Sequence, residues 1–159
     1  MVSRVIPVET FDLVIFGGTG DLARRKILPG LFRRFLSGQM PSESRIIGAA
    51  RSELDAQGYR EMIAAAVAEF GGEEKNDTKG LDAFLQRLDY VAIDAKGEGG
   101  WAELAELVRQ DVVQAFYFSV APSLFGDLAE RLHRNKIANA ESRIVVEKPF
   151  GRDLETKFT

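Results

Sequence analysis

Residues 11–26 read Phe-Asp-Leu-Val-Ile-Phe-Gly-Gly-Thr-Gly-Asp-Leu-Ala-Arg-Arg-Lys, an apolar run joined through a glycine-rich turn to an amphipathic segment. An apolar run without alternation marks a strand covered on both faces, because a strand with one wet face alternates. Directly behind it, Gly17, Gly18 and Gly20 allow a tight reversal of the backbone. They also let a ligand come close with no Cβ in the way, and they aim free N–H groups at it. Ala23 is small enough for the following helix to lie close on the strand. Read as Gly18-x-Gly20-x-x-Ala23 or as Gly17-x-x-Gly20-x-x-Ala23, the segment has the spacing of a turn that receives a dinucleotide pyrophosphate. An ordinary glycine turn is the competing reading.

A chain of 159 residues, 45% of them hydrophobic, can bury one sizeable core and has no reason to divide, so residues 1–159 are expected to form one domain. It has no cysteine, which excludes a disulfide scaffold and thiolate metal sites; no metal is expected. The first residues, Met1-Val-Ser-Arg-Val-Ile-Pro, lack the apolar stretch of a signal peptide, and no run approaches the length that spans a membrane. These features point to a cytoplasmic protein without a membrane partner. A net charge of −3 argues against nucleic acid as a main partner, whereas a few placed cations suffice for an anionic small molecule.

Short apolar strands alternate with helical patterns along the chain, which predicts an α/β fold: a Rossmann-like, doubly wound, mainly parallel sheet with helices on both faces. Strands are expected near 11–16, 44–49, 89–93, 114–120 and 143–147. Leu28, Leu31, Phe32, Phe35 and Leu36 form a first helical stripe, with Gly38 as its stop and Pro29 marking a kink or restart. Met62, Ile63, Val67 and Phe70 mark a second helix, ended by Gly71-Gly72. Leu81, Phe84, Leu85 and Leu88 mark a third, Trp101, Leu104, Ala105 and Val108 a fourth, and Leu124, Leu128, Leu132 and Ile137 a fifth. The polar stretches Gly71–Thr78 and Lys96–Gly100 read as exposed loops. From Gly151 to Thr159 the chain opens a short helical pattern of barely two turns.

Arg51 stands where the second strand ends. An NAD site usually has Asp or Glu there for the ribose hydroxyls, whereas an NADP site replaces the acid with a cation for the 2′-phosphate. A guanidinium can hold a phosphate through two parallel hydrogen bonds, and Ser52 can add a third. Two alternatives stand: Arg51 as a solvated surface arginine, and nearby Glu53 as the ribose acid. The fifth strand delivers Glu147-Lys148-Pro149 at its carboxyl end, the end at which open α/β sheets bind ligands. Lys148 there suits an anionic sugar or a developing oxyanion, against the plainer reading of a pair with Glu147.

Gly-Gly-Thr-Gly-Asp-Leu-Ala-Arg-Arg-Lys, Ile-Gly-Ala-Ala-Arg-Ser, Phe-Tyr-Phe-Ser-Val-Ala-Pro and Glu-Lys-Pro-Phe-Gly-Arg-Asp-Leu occur in this order and at this spacing in the glucose-6-phosphate 1-dehydrogenase family, which residues 11–157 resemble. The chain looks like a bacterial member, and like its coenzyme domain only. The resemblance implies that Gly17, Gly18, Thr19, Gly20, Asp21, Leu22 and Ala23 cradle the pyrophosphate of NADP and that Arg51 with Ser52 holds the 2′-phosphate. It further implies that Asp94 lies near the adenosine and that Tyr117, Ala121 and Pro122 line the nicotinamide side. Lys26 and Lys148 match lysines that reach towards the sugar phosphate and the reacting end of the cofactor. Pro149 matches a proline whose peptide bond can be cis. The full-length protein is implied to be a homo-oligomer.

The reaction so implied is oxidation of the C1 hydroxyl of glucose 6-phosphate to the lactone, with hydride passing to NADP+. A general base must take the hydroxyl proton. The family supplies it from a His-Tyr-Leu-Gly-Lys motif beyond the Glu-Lys-Pro segment, and residues 1–159 hold no such motif. By this resemblance the catalytic histidine is expected beyond Thr159. The one histidine of the chain, His133, sits between Arg131 and Arg134 on the fifth helix without catalytic surroundings. The fragment alone is therefore expected to be inactive. The competing functions are a stand-alone short reductase, for which Tyr59, Tyr90 and Tyr117 all lack a suitably spaced lysine, and a non-catalytic NADP-sensing module.

Overall fold

β1, Phe11–Phe16, is buried along its whole length, as a strand must be when helices cover both faces of its sheet. In the computed structural model, which describes residues 9–148 and 152–157, β1 lies at the centre of a six-stranded sheet of order β3-β2-β1-β4-β5-β6. The flanking strands are β2, Arg45–Ala50, β3, Leu88–Ala92, β4, Val113–Phe118, and β5, Arg143–Lys148. All of these run parallel to their neighbours. The doubly wound α/β architecture is the one the alternating pattern predicts.

The last element departs from expectation. Within the stretch Gly151 to Thr159, read as the opening of a helix, residues 152–157 form β6, Arg152–Lys157, antiparallel to β5 from Arg143↔Lys157 to Lys148↔Arg152. Gly151, Phe158 and Thr159 themselves lie outside the described residues. A helix this short is marginal without packing. As a strand, the same residues give β5 backbone partners along its otherwise open edge.

Among the described residues five α-helices cover the sheet: α1, Leu28–Leu36, α2, Ala56–Phe70, α3, Thr78–Leu85, α4, Trp101–Leu107, and α5, Phe125–Arg134. Pro29 does not break the first helix. A π-helical turn, Ala23–Ile27, runs straight into α1, with the Leu28 N–H reaching back to the Ala23 carbonyl. The wider turn suits a proline, which lacks a donor and whose ring crowds the preceding turn. Leu88, expected on the third helix, instead opens β3. Gly72–Asn76 winds into an exposed 3-10 turn rather than a plain loop. Ile137 lies past the end of α5 yet is fully buried.

Side chains alternate between two cores. Phe11, Leu13 and Ile15 of β1 face α1, α2 and α3, packing with Leu28, Phe32, Tyr59, Ile63 and Phe84. Val14 and Phe16 face α4 and α5, packing with Trp101, Leu104, Phe116, Leu128 and Leu132. Asp12 interrupts the apolar run at the amino end of the sheet, where it is fully buried. Its carboxylate accepts hydrogen bonds from Arg109 Nη2 at 2.7 Å, from the Arg109 backbone N–H at 2.7 Å and from Arg45 Nε at 3.1 Å. Burial pushes this carboxyl up, but the bonds from Arg109 and Arg45 outweigh burial and hold it below the usual carboxylate range. Among the described residues no buried side-chain polar atom lacks a partner, and no helix is long and apolar enough to cross a membrane.

Candidate functional site at the carboxyl end of the sheet

The strand order reverses between β1 and β4, so the connections leaving these strands part to opposite faces and open a crevice above them. The crevice has a volume of about 570 Å³ and is walled by the carboxyl ends of four successive strands. Gly17, Thr19 and Gly20 come from the β1 turn, Arg51 and Ser52 from the end of β2, Asp94 to Lys96 from the end of β3, and Val120 and Leu124 from the segment after β4. A second hollow, about 750 Å³, lies at the amino end of the sheet. Its charged lining is Glu9, Asp111 and Glu141 against Arg143, the wrong balance of sign for a phosphate ligand.

The glycine turn owes its shape to contacts that exclude side chains. Gly17 has φ +82°, and a Cβ on it would lie 2.1 Å from the Ser119 carbonyl oxygen. The turn is tied across β2 by Gly17 N–H to Ala49 O at 2.8 Å and closed on itself by Gly20 N–H to Gly17 O at 2.9 Å. Arg24 Nε donates to Thr19 O at 3.1 Å, a clamp that the sequence pattern does not announce. Helical backbone begins at Asp21, and the first N–H groups of a helix have no intrahelical partner, which makes this end attractive to an anion. Asp21 is turned to solvent, where its Oδ1 pairs with Arg25 Nε at 2.8 Å. Leu22 is half-buried, and Ala23 is fully buried under the turn.

Gly18 belongs to the floor rather than the wall. Its carbonyl accepts from Tyr59 Oη at 3.0 Å, and a Cβ on it would meet that hydroxyl at 2.9 Å. Arg51 is exposed at the rim and has no hydrogen-bond or ion-pair partner among the described residues. Ser52 Oγ stands 3.5 Å from Thr19 Oγ1, so the end of β2 and the glycine turn meet over the crevice. The backbone on either side of Arg51 is held from below by Tyr90, whose hydroxyl donates to Ser52 O at 2.7 Å and to Ala50 O at 3.1 Å. Burial pushes both the Tyr59 and the Tyr90 hydroxyl up, so each remains a protonated donor at neutral pH.

Asp94 is exposed on the wall and organises the loop behind it, accepting the Lys96 N–H at 3.0 Å on Oδ1 and the Trp101 indole N–H at 3.0 Å on its carbonyl. The Lys96–Gly100 stretch, read from sequence as a plain exposed loop, contributes Lys96 to the crevice. It is pinned from α5 by Arg131, which donates to Ala95 O at 2.9 Å, Lys96 O at 3.1 Å and Glu98 Oε1 at 2.8 Å. The signal for Lys96 was its place two residues after Asp94, the acid expected at the end of the third strand.

Other expected residues fall elsewhere. Tyr117 is 3% exposed and packs in the α1–α2 core with Ile15 and Val145, on the far side of the sheet from the crevice wall. Ala121 and Pro122 are exposed at the start of the 3-10 turn Pro122–Leu124, and it is Leu124 and Leu128 that line the crevice. Lys26 is exposed on the π-helical turn and is not among the lining residues. The Lys148 side chain, Pro149 and Thr159, the residue beyond which the catalytic histidine is expected, lie outside the described residues. His133 is exposed on α5, also away from the lining.

The family model described as "Glucose-6-phosphate dehydrogenase, NAD binding domain" matches residues 14–158. The chain is 45% identical over 156 residues to a glucose-6-phosphate 1-dehydrogenase of Rhizobium meliloti (strain 1021), covering 97% of this chain and 32% of that protein. It is 42% identical over 153 residues to one of Gluconobacter oxydans (strain 621H), covering 94% and 31%. Among solved structures, the glucose-6-phosphate 1-dehydrogenase of Mycobacterium avium superposes with a TM-score of 0.79 at 32% identity, over 91% of this chain and 31% of that one. A glucose-6-phosphate dehydrogenase in complex with its substrate glucose 6-phosphate superposes with a TM-score of 0.75 at 28% identity, over 95% and 32%. The chain thus spans about a third of the length of the curated relatives it matches.

Proposed function

The chain belongs to the glucose-6-phosphate dehydrogenase family, matching its N-terminal coenzyme-binding domain, and on that premise we propose that its crevice takes NADP+ in preference to NAD+. The observation that carries the preference is Arg51: a cation without a partner among the described residues, at the rim of the crevice, on the strand end where an acid would serve the ribose of NAD. Gly17 lets the turn close against the end of β4, Gly20 leaves open space in front of the turn, and the helix beginning at Asp21 offers the pyrophosphate N–H groups. Ser52 and Thr19 stand beside Arg51 with hydroxyls that can complete the phosphate contact. Asp94 presents a carboxylate on the adenosine side.

When bound, NADP+ supplies the hydride acceptor. The complete protein then oxidises glucose 6-phosphate to its lactone in the cytoplasm, with Lys148 at the end of β5 and Lys26 on the sugar side and the catalytic histidine beyond Thr159. It works as a homo-oligomer without nucleic-acid or membrane partners.

Calorimetric titration of the chain with NADP+ and NAD+, before and after Arg51→Ala, tests this reading. A charge-assisted contact at an exposed rim predicts a loss of about tenfold in NADP+ affinity. NAD+ affinity should be nearly unchanged. Equal losses for the two dinucleotides would refute the assignment.

A further inference from the structure

Beneath the crevice, on the opposite side of β2, two tyrosines lie ring against ring, with centroids 5.0 Å apart and planes inclined by 32°. Tyr59 comes from α2 and Tyr90 from β3, and they are 0% and 6% exposed. Gly48 makes room for them, because a Cβ there would lie 2.4 Å from Tyr59 Cζ. Their hydroxyls separate and reach the two halves of the crevice: Tyr59 donates to Gly18 O in the glycine turn, Tyr90 to Ser52 O and Ala50 O around Arg51.

We infer that this tyrosine pair positions the coenzyme site in two parts, the Tyr59 hydroxyl holding the turn that every dinucleotide shares and the Tyr90 hydroxyl holding the strand end that selects the 2′-phosphate. The inference rests on the NADP reading of Arg51. Both carbonyls bound by Tyr90 have a second donor, Leu54 N–H at 3.1 Å for Ser52 O and Ile93 N–H at 2.7 Å for Ala50 O. Losing the Tyr90 hydroxyl therefore orphans no buried acceptor and loosens the Arg51 backbone without dismantling it. Arg51 lies between the two carbonyls that this single hydroxyl gathers, so a shift of the backbone there displaces its guanidinium. Among the described residues the hydrogen bonds of that hydroxyl go to Ser52 O and Ala50 O and none goes to the glycine turn.

The test titrates NADP+ and NAD+ against the unaltered 159-residue chain, Tyr90→Phe and Tyr59→Phe, with far-UV circular dichroism to verify folding. Tyr90→Phe should lower the NADP+ over NAD+ affinity ratio by about three- to tenfold, the range of one modest hydrogen bond. Tyr59→Phe should weaken both dinucleotides by the same factor and leave the ratio in place. A merely structural role would lower the melting temperature in both variants without moving the ratio. Amide hydrogen exchange of the unligated chain gives a second readout: it should accelerate around Ser52–Leu54 in Tyr90→Phe and around Gly18–Gly20 in Tyr59→Phe. An unchanged ratio in Tyr90→Phe, with the unaltered chain preferring NADP+, overturns this inference alone. No NADP+ preference in the unaltered chain overturns the functional reading as well.

Discussion

Gly17 and Gly20 look alike in the sequence and carry different loads. Gly17 sits at φ +82°, with the Ser119 carbonyl 2.1 Å from where a Cβ would stand, so any side chain there meets both backbone strain and a collision with fixed main chain. At Gly20 the nearest obstacle is the Gly17 carbonyl at 3.1 Å, and the backbone angle is not of the left-handed kind. Gly17→Ala should therefore cost at least about 2 kcal/mol of stability, and Gly20→Ala markedly less, by urea denaturation. The reverse order would mean that the turn is shaped by something other than its approach to the β4 end. Arg51 is the opposite kind of residue. It is exposed and makes no contact that shapes the fold, so its identity is free to serve a ligand.

At the scale of elements, the amino end of the sheet is held by charge and the carboxyl end by small residues. Asp12 binds β1 to Arg45 of β2 and to Arg109 in the connection between α4 and β4, with its own side chain buried and the two guanidinium groups about a third exposed. Asp12→Asn keeps the shape but removes the charge from several charge-assisted hydrogen bonds, for an expected loss of about 2–3 kcal/mol at neutral pH. Because the folded carboxyl lies below its usual range, its contribution is full above the unfolded value of about 3.9 and is lost as pH falls through the folded value. Denaturation curves at a series of pH values should show the gap between the unaltered chain and Asp12→Asn closing below about pH 4. A gap that stays constant into acid would show that Asp12 acts by shape alone. The β5–β6 pair shows an element decided by its neighbour: a charged segment with a single leucine, Arg152-Asp-Leu-Glu-Thr-Lys, lies as a strand along an edge that would otherwise be open.

Taken whole, the chain builds a crevice at the carboxyl end of its sheet, proposed above as the coenzyme site, but among its described residues brings no histidine to it. Hydride transfer from a sugar hydroxyl needs a base against that hydroxyl, worth about 10²–10⁴ in rate, and a reactive pose, worth about 7–11 kcal/mol of barrier. The 159-residue chain with NADP+ and glucose 6-phosphate should accordingly produce no NADPH above background by absorbance, whereas a chain extended past Thr159 through a His-Tyr-Leu-Gly-Lys motif should. Turnover by the shorter chain would place the base within it.

Local patterns were sufficient for the doubly wound sheet and for much of the lining of the candidate site. The apolar run suits a strand covered twice, the glycine turn behind it suits a close approach, and a residue that ends a strand of a parallel sheet stands at the ligand end; for these reasons Gly17, Gly20, Arg51, Ser52 and Asp94 were expected together, and the structure brings them to one crevice. What tertiary structure alone decided involves partners far apart in the chain. Arg109 meets Asp12 across 97 positions, Tyr90 reaches Ser52 across 38, and Arg131 pins Lys96 across 35. Such pairings leave no periodic trace, because periodicity reports which face a residue takes and not what it meets there. Asp12, passed over within the apolar run, is a buried carboxylate that must be compensated. That the partners were Arg45 and Arg109 followed only from the parallel register of β1 with β2, which sets Asp12 beside Arg45, and from the return of the α4–β4 connection past β1.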